Sequence, residues 1–210
     1  MALRLLPFRQ YDEQDVVNLY ALTSAEALAS TTGDGAGSNG VFVKVNDGNF
    51  NQDMITYGTN TYLGKTSYPF VGGDMYPTNQ LEVTAATSGD LPLGLTLNQT
   101  AQTDENGEKL LYNTTKKEEL QAVLPGQTVP VATKGIFTLS ANAIDGALAN
   151  NKLGIGSGIK ISHTNDGKVT GVAPTDSAAF GTVIGTGSRA ATNGGLSDQF
   201  AGEFIVIKLG

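Results

Sequence analysis

At 210 residues and 21.8 kDa the chain can bury a core as one domain or two small lobes, and with no cysteine it excludes disulfides and thiolate zinc sites. A formal charge of −7, with thirteen acidic residues against Lys44 and Lys65 between Asp12 and Glu108, repels a phosphate backbone and speaks against nucleic acid as a partner. With 40% apolar residues, 16% charged residues and 27 glycines, the composition favours many short strands joined by turns, hence a mainly β fold.

The chain begins MALRLLPFRQYDEQDVVNLYAL. Its longest apolar run, Leu5-Leu6-Pro7-Phe8, falls short of the roughly 7 to 15 residues of a secretory h-region, and no later stretch approaches the ~20 needed to span a bilayer. The expectation is a soluble protein with no export signal of its own and no membrane partner. Arg4 and Arg9, two of only three arginines, alternate with apolar residues around a proline that bars a helix interior. One reading is an ordinary first strand paired within its own sheet. The preferred reading is an extended arm, Leu3, Arg4, Leu5, Leu6, Pro7, Phe8, Arg9 and Tyr11, that adds itself to a neighbouring chain, with Phe8 and Leu6 filling pockets there. Deleting residues 1–11 would then leave the domain folded.

Asp15 to Leu22 suits a strand better than a short helix, and 1–22 is read as arm plus first strand. Residues 23–40, small and then glycine-rich, read as a flexible exposed loop. Val41 to Val45 alternates toward Asn46-Asp47-Gly48-Asn49, a hairpin turn signal. Tyr68-Pro69 and Tyr76-Pro77 flank Gly72-Gly73 and suit an edge or a loop. Leu81 to Ala85 and Leu93 to Leu97 are short strands around Ser88-Gly89-Asp90. Thr115 and Glu118 have capping-box spacing, so one helix of two to three turns is expected, with Leu120, Val123 and Leu124 inward and Pro125-Gly126 as its stop. Thr128 to Leu139 gives two strands split at Lys134-Gly135, and Ile155 to Ser162 runs through Asn165-Asp166-Gly167-Lys168 into Val169 to Val172, a second hairpin. Phe180 to Gly185 is another strand, and EFIVIKL (203–209), apolar on both faces, belongs at the centre of a sheet or barrel. The division expected is a first β lobe over 41–112 and a helix plus second β lobe over 113–210, or one continuous domain over 41–210.

Chemistry-bearing motifs are sparse. Gly35 to Gly40 satisfies G-x-G-x-x-G, but a strand follows it where a dinucleotide site needs a helix, and GIGSG at 154–158 is likewise a loop. His163, the single histidine, precedes a turn and lacks a partner nucleophile, so no triad can be nominated. Asp104-Glu105-Asn106-Gly107-Glu108 lacks the spaced ligands of a calcium loop and reads as a polar turn. Asn98-Gln99-Thr100 and Asn113-Thr114-Thr115 are glycosylation sequons by pattern alone. No catalytic residue, cofactor or metal site is expected, and the protein is not read as an enzyme.

The leader LPFRQYDEQDVVNLYAL, the central DENGEKLLYNTTKKEELQAVLPGQTVPVATKGIFTL, and the closing FGTVIGTG and GEFIVIKLG resemble a virion structural protein of tailed bacteriophages of the cyanophage type. The second half is similar in rhythm to head-decoration proteins of the lambda type, though this chain is about twice as long as that pattern. The resemblance implies a capsid decoration, or cement, protein: a small β-barrel or β-tulip with one short helix and an extended N-terminal arm. It would sit on the capsid surface of a virion assembled in the host cytoplasm, with the major capsid protein and neighbouring copies of itself, as a trimer, for partners. The alternative is a head or tail fibre module that adsorbs to a host glycan or receptor through Tyr57, Tyr62, Tyr68 and Tyr76.

Overall fold

A computed structural model of the chain describes residues 3–22, 37–46, 81–104, 106–148, 150–190 and 200–210. The strands in chain order are β1 (Leu5–Gln10), β2 (Val16–Val17), β3 (Ala21–Leu22), β4 (Phe42–Val45), β5 (Glu82–Ala85), β6 (Gly94–Thr96) and β7 (Gln99–Thr100). A single α-helix among the described residues, α1 (Thr114–Glu119), precedes β8 (Ala122–Val123), β9 (Val131–Ala132), β10 (Gly135–Ser140), β11 (Gly158–Ile161), β12 (Val169–Val172), β13 (Gly181–Arg189) and β14 (Gly202–Leu209). The mainly β class follows the composition.

Two six-stranded sheets and one two-stranded sheet form. The first runs β1-β10-β14-β13-β11-β12, the second β2-β9-β6-β4-β5-β3, and β7 pairs with β8. None of them closes into a barrel, so the barrel or tulip expectation is corrected to open sheets. The physical reason lies at Thr133-Lys134, where the chain leaves β9 in one sheet and enters β10 in the other. One core cluster mixes Phe42, Leu95 and Ala132 of the second sheet with Phe137, Leu139, Ile159, Ile205 and Ile207 of the first. On β4 the pleat alternates, so Val43 joins Leu22, Leu81 and Val83 in a second cluster while Phe42 stays in the first. β9, which follows residue 113, completes the second sheet, and the leader residue Leu5 lies in the shared core.

β14 is central, as its composition indicates, flanked by β10 and β13 over most of its length. Ile205 and Ile207 are fully buried on its inner face, whereas Phe204 and Val206 on the other face are half-buried. The hairpin β11–β12 forms as Asn165-Asp166-Gly167-Lys168 predicts. The Asp47-Gly48 hairpin, the segment with Gly72-Gly73, and Tyr57, Tyr62, Tyr68 and Tyr76 lie outside the described residues.

α1 is shorter than expected, one and a half turns, and its cap is Asn113 rather than Thr115. The Asn113 side chain accepts a hydrogen bond from Lys116 N at 3.1 Å. The helix stops early because Gln121 takes φ +47, after which Ala122 and Val123 are drawn into pairing with β7. Leu124 is buried beyond the helix, with Leu110 and Ala101.

Of the glycine-rich loop only 37–40 is described, and there it is buried rather than exposed: Ser38 is 3% accessible. Gly40 takes φ +71 and sits so close to the leader that a Cβ would lie 3.0 Å from Arg4 Cβ and Leu5 N.

Candidate functional site at the leader strand

The leader is a strand of its own sheet. β1 pairs antiparallel with β10, Leu5 opposite Leu139 and Arg9 opposite Phe137, with a register irregularity between them. Five residues of β1 oppose three of β10, so the leader bulges through Leu6-Pro7-Phe8. Beyond β1, Glu13–Asp15 form a 3-10 turn whose cap Asp12 accepts from Gln14 N at 3.0 Å. The chain then enters β2, which pairs with β9, and Asp15 O accepts from both Thr133 N at 2.8 Å and Thr133 Oγ1 at 2.9 Å. The leader thus runs antiparallel to 131–140 across both sheets and around the corner between them.

This placement corrects the arm. Leu5 and Leu6 are each 4% exposed and Arg4 1%, all within the same chain, so they cannot fill a neighbour's pockets while the sheet is intact. The strand is held at its start by Asn39 Oδ1, which accepts from Arg4 N at 3.3 Å, and by Ser140 Oγ, which donates to Leu3 O at 2.5 Å. The reason is energetic: burying two leucines on folding contributes about 3–6 kcal/mol, available locally and without a partner. The remaining leader residues behave differently. Phe8 is 68% exposed, Pro7 is exposed beside it, and Tyr11 is 37% exposed, stacked on the buried Phe137 ring at 5.7 Å.

β1 is also an edge. Among the described residues its sole strand neighbour is β10. A sheet edge offers backbone donors and acceptors to another strand; Pro7, which lacks an N–H, and the bulge interrupt that edge and leave Phe8 exposed on it.

A cleft of about 500 Å³ opens beside the other side chains of the leader. Arg9 of β1, Tyr11 just after it and Glu13 of the 3-10 turn line it; Glu118 of α1 and Gln121 just past its end line it from the other side. Val16, Leu97 and Pro130 add apolar surface, and Asn18 and Asn98 add amides. Asn98, singled out in the sequence as a sequon residue, is therefore a cleft residue. Glu118, singled out for its capping-box spacing, is one too. Sequence reasoning missed the cleft because its lining comes from four separated segments, 9–18, 97–98, 118–121 and 130.

The other motifs are structural. Asp104 Oδ1 accepts from Asn106 N at 2.9 Å and Glu108 N at 2.8 Å, a polar turn. His163 is exposed, with Nδ1 3.3 Å from Ser88 Oγ. Its neighbour Ser162 donates to Asp145, which also accepts from Asn165 Nδ2 at 2.6 Å, locking the hairpin loop to the preceding turn. Among the described residues no cluster of His, Cys, Asp and Glu could hold a metal ion, and no helix is long and apolar enough to cross a membrane.

Compared with protein-family models, curated proteins and solved structures, the chain matches none.

Proposed function

We propose that the protein is a structural component of a phage-like virion, a decoration protein that stabilises contacts between major capsid proteins. The observation that carries the reading is the leader edge: a strand anchored by Leu5 and Leu6 and bulged so that Phe8 projects from the rim of the sheet at 68% exposure. Exposed single aromatics are ordinary on protein surfaces. Phe8 differs in sitting on an edge strand, where backbone pairing and one aromatic anchor act together, as in strand addition to a partner's sheet. The sequence resemblance supplies the class of partner. Binding by Pro7 and Phe8, with Arg9 backbone beside them, replaces the whole-leader clamp.

A cement protein works through many identical weak contacts, so each needs to contribute little. The test is Phe8→Ser, which removes the anchor from an exposed position. Purified shells that lack the protein are mixed with wild type or variant and sedimented. Phe8→Ser is expected to keep the wild-type melting temperature and to lose shell binding by a factor of about ten or more, the worth of one buried aromatic anchor. Equal co-sedimentation of variant and wild type refutes the leader's part, and failure of both to sediment with shells refutes the decoration reading itself.

A further inference from the structure

The cleft between the leader corner and α1 has the features of a binding site, and of its residues only Arg9 also stands at the edge contact, there through its backbone. Three observations meet there. Its volume of about 500 Å³ lies within the roughly 300–1,000 Å³ of small-molecule sites. Tyr11 is held as a fixed shelf, one ring face stacked on Phe137 at an interplanar angle of 20°, while over a third of the residue stays open to solvent. Gln121 adopts φ +47 just past the end of α1, a position where glycine or asparagine is the usual residue, and it is one of the residues that line the cleft.

The lining decides the ligand class. The lining holds Arg9 together with Glu13 and Glu118, and Glu118 has Lys117 Nζ at 3.8 Å, so the formal charges balance and favour an ion of neither sign. Phosphate would meet two carboxylates, and a metal ion would lack a ligand cluster. Planar amides and carboxylates offer paired donors and acceptors to vicinal hydroxyls, and an aromatic shelf offers an apolar face to a ring's C–H groups. We propose that this cleft binds a neutral saccharide of about two or three sugar rings. Tyr11 stacks on one ring, and Gln121, Asn98 and the carboxylates bind its hydroxyls.

The full chain is titrated by calorimetry and ligand-observed NMR with neutral trisaccharides of glucose, galactose, mannose and N-acetylglucosamine, each to about 10 mM. Inorganic phosphate and calcium chloride serve as counter-probes. At least one trisaccharide is expected to bind saturably. Gln121→Gly, which relaxes the backbone and so preserves the fold, should weaken that binding roughly three- to tenfold, as losing one amide's hydrogen bonds does. A purely structural glutamine would show no such loss. Tyr11→Leu, which keeps apolar contact with Phe137 but removes the ring, should weaken it comparably. The proposal is overturned if no trisaccharide binds saturably, if both variants bind as wild type does, or if phosphate or calcium binds more tightly than every sugar. Phe8→Ser leaves sugar binding unchanged, so this result and shell attachment fail or succeed separately.

Discussion

Asp90 shows how one side chain fastens a turn to a strand. Its Oδ2 is 2.8 Å from Lys44 Nζ on β4 and accepts from Thr87 N at 2.7 Å and Thr87 Oγ1 at 2.6 Å. The Lys44 hydrogen bond first, and the Thr87 bonds after it, hold the carboxyl at about 2, below its ordinary 3.8. A lowered folded-state pKa means the unfolded chain binds the proton more readily, so the stabilisation is complete above pH 3.8 and is lost as pH falls toward 2. Both partners are partly open to solvent, 35% for Lys44 and 27% for Asp90, so screening limits the contribution to about 1 kcal/mol. Asp90→Asn is expected to cost about that much in urea unfolding at neutral pH and almost nothing near pH 2. An equal loss at both pH values would remove the ionised clip from the account. Gly135 is a second residue on which the fold turns: with φ +132, a Cβ there would meet Gln10 O at 2.7 Å and Tyr11 Cβ at 2.8 Å. It lets the leader pass the point where the chain changes sheets.

Among elements, β1 has the most revealing history. Deleting residues 1–11 removes Leu5 and Leu6 from burial and strips β10 of its outer partner. The loss of about 3–6 kcal/mol from the leucines alone compares with the 5–15 kcal/mol that holds a typical domain together. The truncated chain is therefore expected to lose cooperative unfolding by circular dichroism, where a detachable arm would leave the melting curve unchanged. The strand was legible in the sequence as alternation around a proline; its partner was not, because β10 lies more than a hundred residues away and Leu, Phe and Arg suit a neighbour's edge as well as their own. Local signals succeeded where chemistry is local. Asn165 to Lys168 fixes a hairpin, and EFIVIKL finds the middle of a sheet. They failed at α1, where Thr115 and Glu118 have the right spacing but Asn113 caps first and pairing of Ala122 and Val123 with β7 ends the helix. The cleft residues gave a partial signal: Arg9 and Tyr11 were singled out, while Glu13, Asn18, Leu97, Gln121 and Pro130 become neighbours only through the corner that Gly135 permits.

At the scale of the molecule, the chain builds the second sheet from β2 to β6 and β9 and the first from β10 to β14, and β1, at the start of the chain, joins the first. Leader and 131–140 each contribute a strand to both, and the core cluster joins Leu5, Phe42, Leu95 and Ala132 to Phe137, Ile205 and Ile207. Separating the sheets would expose Phe42 and Phe137, both fully buried, along with the isoleucines of β14, so each sheet would lose the cover of the face it shares with the other. Unfolding should therefore be a single transition. Native-state hydrogen exchange offers the sharpest check, because it resolves the two sheets amide by amide. The slowest amides of β10 and β14 are expected to exchange with the same opening free energy as those of β4 and β6, and denaturant should lower both along one line. Two lobes, one ending near residue 112 and one beginning there, would give two plateaus, with β9 exchanging alongside β10 rather than alongside β6. Pairing of β9 with β6 through Leu95–Ala132 and Thr96–Val131 argues for the single plateau, since that contact ties the late half of the chain into the early sheet.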